Sequence, residues 1–349
     1  MAGPVTAGVV RISTKNLNQV VQYEPKDLTI SVRAGIRYAD LSSILAANGQ
    51  MIPLDGAYDQ HATVGGMVAA NISGSRRRGY GTARDWVIGM QFATMDGKLV
   101  QSGGMVVKNV AGLDMGKLMI GSFGTLAAIT TVNFKLAPIP AATITVVSPM
   151  EDASKAFHLA ADSLRGALNP VAVDVLNPQL ASLLGLEPLH TLVLAYAGNA
   201  AVVERTIREF SSRNGVQILR GQQETDFWAA VRNITPHHLD ANSKGTVSRV
   251  SVPLKGAEKA MGTLSVPCLA HAGSGVLRAW FQNAPAAAAW VATATQQGAR
   301  GVVEFSPNSA KSPESLWPAP GGDFEIMKQV KHMFDPQGLL NQGRLYGRI

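Results

Sequence analysis

A series of glycine-rich turns lies between Gly65 and Gly124 of the 349-residue chain. Thirteen of these sixty residues are glycine, about three times the ~7% of an average chain. Threonine, serine, asparagine and arginine side chains lie among them. Glycine permits positive φ and lets main-chain N–H groups approach a ligand closely, so the pattern predicts amides around a large phosphorylated ligand. A run of tight turns in a β-rich domain would give the same density, which therefore does not separate the two interpretations.

The chain divides into three predicted regions, and the glycine-rich turns belong to the first. In the first region, residues 1–140, the segment 9–35 reads as short strands beginning with Val9–Ser13. A predicted helix, Arg37–Asn48, and an Asp96-Gly97 hairpin turn follow. Residues 141–310 alternate amphipathic helices with strands, which predicts an α+β domain with helices on one face of a sheet. Residues 311–349 carry a predicted helix, Phe324–Phe334, followed by a tail.

Composition and charge restrict the class of protein. Apolar residues make up 46% of the chain and charged residues 16%, as in a compact globular protein. A net charge of +7 would suit nucleic acid, but the basic residues are scattered. Their only run, Arg76-Arg77-Arg78, we interpret as a solvated turn, with contact to phosphate or a partner as the alternative. We therefore expect anionic small ligands or an acidic partner and no nucleic acid.

Cysteine use and hydropathy indicate the compartment. Cys268 is the only cysteine, so this chain by itself cannot ligate an iron–sulfur cluster. The sequence has neither a signal-peptide pattern nor an apolar run of membrane-spanning length. We expect a cytoplasmic protein with no direct membrane span, which reaches a membrane only through a partner.

Two common nucleotide-binding motifs do not occur in the chain. A Rossmann fold needs GxGxxG between a strand and a helix, and a P-loop needs GxxxxGK[ST]. The glycines here are spread over consecutive turns instead. A nucleotide would therefore be held by several loops at once.

Four motifs in order resemble the FAD domain of the vanillyl-alcohol-oxidase/PCMH flavoproteins, and within that family the FAD-binding subunits of glycolate oxidase. They are His61–Asn71, Gly81–Asp85, Val107–Asp114 and Gly121–Leu126. The C-terminal segment, up to Arg344, also resembles the end of these proteins. The resemblance implies an α+β fold. It would consist of a PCMH-type FAD-binding domain of two small α+β lobes, a cap domain with an antiparallel sheet, and a tail that returns to the FAD domain.

The resemblance also implies the residues that contact FAD. The turn at Thr63–Gly66 and the helix that it opens would donate N–H groups to the flavin and pyrophosphate. The segment Gly121–Ile129 would follow the adenosine half, and the tail would reach the flavin edge. The implied contacts are Pro53, Thr63, Val64, Gly65, Gly66, Asn71, Gly74, Gly81, Thr82, Arg84, Asp85, Asn109, Gly121, Gly124, Thr125, Ile129, Asn341 and Arg344.

Two features depart from the family pattern. Members carry an Arg-Gly-Gly-Gly-Thr/Ser loop ahead of the first strand pair, and this sequence lacks it. The resemblance then implies either a truncated start or weak FAD binding. The other departure is Asn341-Gln342-Gly343 in place of Asn-Pro-Gly.

The candidates for catalysis are few. Oxidation of a 2-hydroxy acid needs a group that accepts the hydroxyl proton and cations that bind the carboxylate. Related catalytic subunits use His-x-Gly-Asp-Gly-Asn-x-His, of which this chain keeps His271 and two glycines. His271 is the candidate proton acceptor, with a strand-end turn as the alternative. Arg249 and Arg278 are the candidate carboxylate ligands, unless they face solvent. His237-His238 we interpret as a solvated loop, and we predict no metal site.

The resemblance implies an FAD-binding subunit that oxidises a small 2-hydroxy acid of the glycolate or D-lactate type. Its partners would be a paralogous FAD-linked catalytic subunit and an iron–sulfur subunit, which receives the electrons. The alternative is a non-catalytic assembly subunit that keeps the flavin fold as a scaffold. The incomplete motif at His271 and the missing N-terminal loop favour this alternative.

Overall fold

The computed structural model describes residues 9–58, 60–106, 112–307, 316–347 and 349. Its first part contains an antiparallel five-stranded sheet with the spatial order β1-β2-β6-β4-β5 and a small β3–β7 pair. These strands are β1 (Val20–Glu24), β2 (Thr29–Arg33), β3 (Gln50–Met51), β4 (Val87–Ala93), β5 (Leu99–Gly103), β6 (Ala128–Lys135) and β7 (Ala137–Pro138). The helices are α1 (Tyr38–Ala46), α2 (Val64–Ala70), α3 (Arg77–Tyr80), α4 (Ala83–Trp86) and α5 (Gly116–Met119).

The second part contains an antiparallel eight-stranded sheet with the order β11-β8-β10-β9-β13-β14-β12-β15. Its strands are β8 (Ala142–Met150), β9 (Ala172–Leu176), β10 (His190–Gly198), β11 (Gln217–Leu219), β12 (Thr246–Ser251), β13 (Cys268–His271), β14 (Val276–Phe281) and β15 (Arg300–Phe305). The remaining helices are α6 (Ala153–Arg165), α7 (Pro178–Leu183), α8 (Ala200–Phe210), α9 (Gly221–Ala241), α10 (Ala257–Gly262), α11 (Ala284–Gln296) and α12 (Phe324–Phe334). The predicted α+β class with an antiparallel cap sheet is confirmed.

The large sheet is covered on both faces. Leu192 and Leu194 pack into one core with α6, α8, α10 and α11, while Val193 between them packs into a second core with Phe227 of α9. Because side chains alternate along a strand, these cores lie on opposite faces. The expectation of helices on a single face is therefore wrong, and α9 is the reason.

Some local predictions are confirmed. The Asp96-Gly97 turn joins β4 to β5, with Gly97 at φ 80°. Helix α12 has the predicted bounds. Cys268 is fully buried, and burial raises the pKa of its thiol.

Two local predictions are wrong. Val9–Ser13 forms no strand, because no strand among the described residues pairs with it, and Ile12 is 86% exposed. The pair His237-His238 lies inside α9 and not in a loop. His238 Nε2 lies 2.9 Å from the Phe281 carbonyl oxygen, so a tertiary contact holds this end of the helix in spite of Pro236.

The tail returns to the first part of the chain through a buried lysine. Lys331 Nζ of α12 donates to the Thr125 carbonyl at 2.7 Å and to the Leu340 carbonyl at 2.9 Å, and it pairs with Asp335 at 2.5 Å. The Asp335 side chain is 0% exposed. Asn341 Nδ2 donates to the Phe123 carbonyl at 2.8 Å. The tail thus docks on the turn that contains Gly121, Gly124 and Thr125.

Replacing Lys331 by methionine is expected to lower the free energy of unfolding by about 3 kcal/mol, because a buried Asp335 carboxylate loses its cation. Urea denaturation measures the change. The matched control is Lys328→Met, whose exposed pair with Glu325 should be worth less than about 1 kcal/mol. Equal effects of the two variants would contradict a structural role for Lys331.

Candidate functional site

A cavity of about 430 Å³ lies between the segment Asp55–Arg77 of the first part and one face of the eight-stranded sheet. Its volume falls in the range of roughly 300–1,000 Å³ of small-molecule sites. Aromatic rings contribute to the lining, together with arginines and two carboxylates. The aromatic residues in the lining are Tyr58, Phe123, Trp228, Trp280, Phe305 and Trp317.

Strand alternation and register bring the chemical groups of the sheet to this one face. His271 on β13 pairs with Asp174 on β9, and Arg278 on β14 pairs with Arg249 on β12. Residues two apart on a strand share a face, so Arg278 lies with Trp280 on the cavity side. Three strands of the sheet thus bring His271, Arg249 and Arg278 into the same cavity.

His271 is held by a buried carboxylate. Its side chain is 4% exposed, and Nδ1 lies 2.8 Å from Asp174 Oδ1. With Nδ1–H donating to Asp174, Nε2 is the basic nitrogen, a tautomer assigned from the hydrogen bond. His271 Nε2 is buried and has no hydrogen-bond partner among the described residues. A buried, unpartnered base in a cavity wall is what proton transfer from a ligand requires.

A buried ion-pair group stands beside His271. Glu304 accepts from Arg249 Nε at 2.9 Å and from Arg278 Nε at 2.8 Å. Burial alone would raise the pKa of the Glu304 carboxyl, but the two guanidinium groups outweigh burial and lower the pKa to about 2. Glu304 is therefore ionised at neutral pH. Both arginines are oriented by it and line the cavity.

The basic run Arg76-Arg77-Arg78 lies at the junction between the two parts of the chain, and its interpretation as a solvated turn is wrong. Arg76 pairs with the buried Asp55 at 2.7 Å. Arg77 lines the cavity, and the Arg78 side chain lies against Gly273. The Gly79 N–H also donates to the Val171 carbonyl at 3.0 Å, which attaches this segment to the sheet.

Many amides of the glycine-rich turns already have partners within the protein. The Thr63–Gly66 turn opens a helix, α2, as predicted, and the Thr63 hydroxyl caps it by accepting from the Gly66 N–H. The Gly65 N–H donates to Ala34, and the Gly121 N–H donates to Val68. These amides are therefore not free for a pyrophosphate, contrary to the expectation for the Thr63–Gly66 turn.

A different segment offers unpaired amides. Within the described ranges, the N–H groups of Ser73, Gly74 and Ser75 have no hydrogen-bond partner, and all three residues line the cavity. A Cβ at Gly74 would lie 2.7 Å from Asp55 Cβ, so only glycine fits there. Consecutive unpaired N–H groups form a concave site for the oxygens of a ligand.

The cavity gathers part of the predicted site. Asn71, Gly74, Gly121, His271, Arg249 and Arg278 line it. Thr82 and Asp85 form a capping box at α4. Asn109 lies outside the described residues. Predicted residues outside the lining are Pro53, Thr63, Val64, Gly65, Gly66, Gly81, Thr82, Arg84, Asp85, Gly124, Thr125, Ile129, Asn341 and Arg344.

Sequence reasoning missed Asp174, Glu304 and the cavity role of Arg77. A signal for Asp174 was present, because it is the only polar residue of the strand Ala172-Val173-Asp174-Val175-Leu176. A carboxylate inside a fully buried strand is expensive unless it is paired. No comparable signal marked Glu304, whereas Arg77 belongs to the basic run 76–78, for which contact with phosphate or a partner was the alternative interpretation.

Comparisons with known proteins identify an FAD-linked oxidoreductase of the PCMH type. A family model described as an FAD binding domain matches residues 1–103. A solved alkyldihydroxyacetonephosphate synthase has the same fold, with a TM-score of 0.70 at 17% identity, over 97% of this chain and 69% of the other. The chain is also 27% identical to the D-lactate dehydrogenase of Anaerostipes hadrus, over 97% of this chain and 80% of the relative.

The particular family follows from one further relative. The chain is 30% identical to glycolate oxidase subunit GlcE of Escherichia coli (strain K12) over 332 residues, which cover 95% of this chain and 85% of the relative. The chain belongs to this GlcE family of FAD-linked oxidoreductase subunits, and its cofactor is FAD.

The residues of the cavity fit a flavin. The unpaired amides of Ser73–Ser75 can donate to its ring oxygens and nitrogens, and aromatic side chains offer flat apolar surface.

Among the described residues, no group of three or more metal-ligating side chains is found. No helix in the described ranges has the length and apolarity to cross a membrane.

Proposed function

We propose that this chain is the FAD-binding subunit of a 2-hydroxy-acid oxidoreductase, in which a small 2-hydroxy acid gives its electrons to the flavin and an iron–sulfur partner subunit receives them. One observation carries the proposal. His271, whose Nε2 has no partner among the described residues, and an arginine-rich wall line the same cavity as the free amides of Ser73–Ser75. The candidate base, the cationic side chains and the proposed flavin-binding segment therefore line one cavity.

Each group has a role in the proposed reaction. When bound, FAD supplies the acceptor for the hydride that leaves C2 of the substrate. His271 Nε2 accepts the hydroxyl proton as the C–O bond becomes a carbonyl, and Asp174 stabilises the resulting imidazolium. The lining carries five arginines against two carboxylates among the described residues, and this excess of positive charge attracts the substrate carboxylate.

We propose that FAD lies against the glycine-rich segment where this segment lines the cavity. Asn71, Gly74 and Gly121 belong to the cavity lining and are proposed to contact the flavin, with Ser73 and Ser75 added. Asn341 would fix the Gly124 turn through its hydrogen bonds to the Phe123 and Gly124 carbonyls. The other FAD contacts implied by the resemblance, including Asn109, stay predictions.

The electrons must leave through a partner's cluster or a quinone. The single cysteine, Cys268, is fully buried and cannot ligate a cluster by itself. The E. coli relative is named as a subunit of glycolate oxidase. We therefore propose a complex with a paralogous FAD-linked subunit and an iron–sulfur subunit.

Anaerobic mixing tests the proposal. The FAD-loaded chain, alone and with its co-expressed partner subunits, is mixed with glycolate or D-lactate, and the visible flavin absorbance is followed. Bleaching by either acid supports the proposal, and re-oxidation through the cluster-containing partner supports the electron path. A flavin that stays oxidised with both acids in the whole complex contradicts it.

An assembly role is the second candidate. The internal pairing of the Gly65 and Gly121 amides favours it, because a scaffold needs these turns only for its own fold. An assembly subunit would keep the partners together while its own flavin stays oxidised. Deleting the chain would then abolish complex formation, whereas the variant His271→Asn would leave turnover of the complex unchanged.

A further inference from the structure

The described residues provide no acidic partner for Arg77, whereas each of the other cavity arginines, Arg232 included, has an interaction of its own. Arg76 pairs with Asp55, and Arg249 and Arg278 both pair with Glu304. Arg77 lies at the start of α3, directly after the free amides of Ser73–Ser75. It is half-buried at the junction between the two parts of the chain.

The surroundings of Arg77 are positively charged. Burial lowers the pKa of its guanidinium, and the nearby charges of Arg249 and Arg278 lower it further. Glu304 is a single carboxylate facing two guanidinium groups, so it does not neutralise a third. A cation that is partly desolvated and repelled by its neighbours favours the binding of an anion.

The other two arginines are poorly available for that anion. Each Nε hydrogen of Arg249 and Arg278 is already directed to Glu304. Their Nη groups keep N–H donors for a second acceptor, but each guanidinium charge is already balanced in part by Glu304, which weakens its attraction for another anion. Arg77 would lose no ion pair to a described residue.

We infer that Arg77 binds the carboxylate of the substrate, while Glu304 holds Arg249 and Arg278 in place behind it. The inference deepens the proposed function and rests on it for the identity of the ligand. The carboxylate is then bound from the FAD-binding side and the hydroxyl from the sheet side, at His271. Such a site takes small 2-hydroxy monocarboxylates and rejects their neutral amides.

The test uses oxalate, which carries a carboxylate but no oxidisable C–H bond. Oxalate is titrated calorimetrically into the FAD-loaded chain and into the variants Arg77→Gln, Arg77→Lys and Arg208→Gln. Arg77→Gln should weaken oxalate binding about 10- to 100-fold, the usual effect of removing a charge-assisted pair. Arg77→Lys should be intermediate, because an ammonium lacks the planar fork. Arg208 is exposed on α8, so its variant should bind like the unmodified chain.

Affinity for FAD is measured on the same proteins. It shows whether Arg77 binds the carboxylate of the substrate or a phosphate of the cofactor. Unchanged FAD affinity with weak oxalate binding supports the inference. Unchanged oxalate binding, or a loss confined to FAD affinity, overturns it, the latter because Arg77 would then contact a cofactor phosphate. If 2-hydroxy acids never reduce the flavin but oxalate binding still depends on Arg77, the proposed function fails and the carboxylate site stands.

Discussion

Replacing His271 by asparagine is expected to slow flavin reduction by a 2-hydroxy acid by about 100- to 10,000-fold, the usual contribution of a positioned general base. Asparagine has a similar shape but cannot accept a proton at neutral pH. Since His271 lies in the sheet wall and not among the glycine-rich turns, FAD affinity should not change. Stopped-flow absorbance of the FAD-loaded protein measures the rate constant.

A second variant separates proton transfer from a packing effect. Asp174→Asn can still accept the hydrogen bond from Nδ1 but no longer carries the charge that stabilises a protonated His271. We expect a smaller loss of rate than for His271→Asn, and the same FAD affinity. Equal rates in His271→Asn and the unmodified protein would rule out His271 as the base.

Replacing Glu304 by alanine is expected to lower the free energy of unfolding by about 3–5 kcal/mol, because the partly buried guanidinium groups of Arg249 and Arg278 lose their shared counter-charge. The Glu304 side chain is only 13% exposed, so solvent compensates little. Urea denaturation gives the free energy. The triple variant Glu304→Leu, Arg249→Met, Arg278→Met removes all three charges and should recover most of the stability. Loss of stability of the same size in both proteins would contradict the explanation.

The lowered pKa of Glu304 predicts that the stability of the protein depends on pH in the acid range. The Glu304 pKa is lowered from 4.5 to about 2 in the folded protein. A lowered carboxyl pKa contributes stability that is fully present above the unfolded pKa and is lost as the pH falls toward the folded value. Between about pH 5 and pH 2, stability should therefore fall more steeply in the unmodified protein than in Glu304→Ala. Parallel curves would contradict the assignment.

The glycine-rich motifs and the tail helix could be predicted because each depends on residues that are neighbours in the sequence. The hairpin at Asp96-Gly97 depends on two adjacent residues that adopt turn dihedrals, and α12 depends on apolar spacing and the Asp335-Pro336 stop. The family motifs likewise consist of neighbouring residues, so the FAD-linked class follows from the sequence. Val9–Ser13 shows the limit, since strand-type residues need a partner strand that the sequence does not specify.

The chemistry of the cavity depended on tertiary structure. Asp174 and His271 are 97 positions apart, and the β9–β13 register brings them into contact. Antiparallel pairing of β12 with both β14 and β15 joins Glu304 to two arginines, and α3 adds Arg77 from the other part of the chain.

The sequence by itself determined the class of protein, the cofactor and the residue types available for catalysis, because these reside in short contiguous motifs. Within the described residues, tertiary structure decided that the Ser73–Ser75 amides and Arg77 are given no partner and that Nε2 is the basic nitrogen of His271. Hydrogen bonds and ion pairs between distant strands fix these properties, and their partners are set by sheet register, which no local pattern encodes.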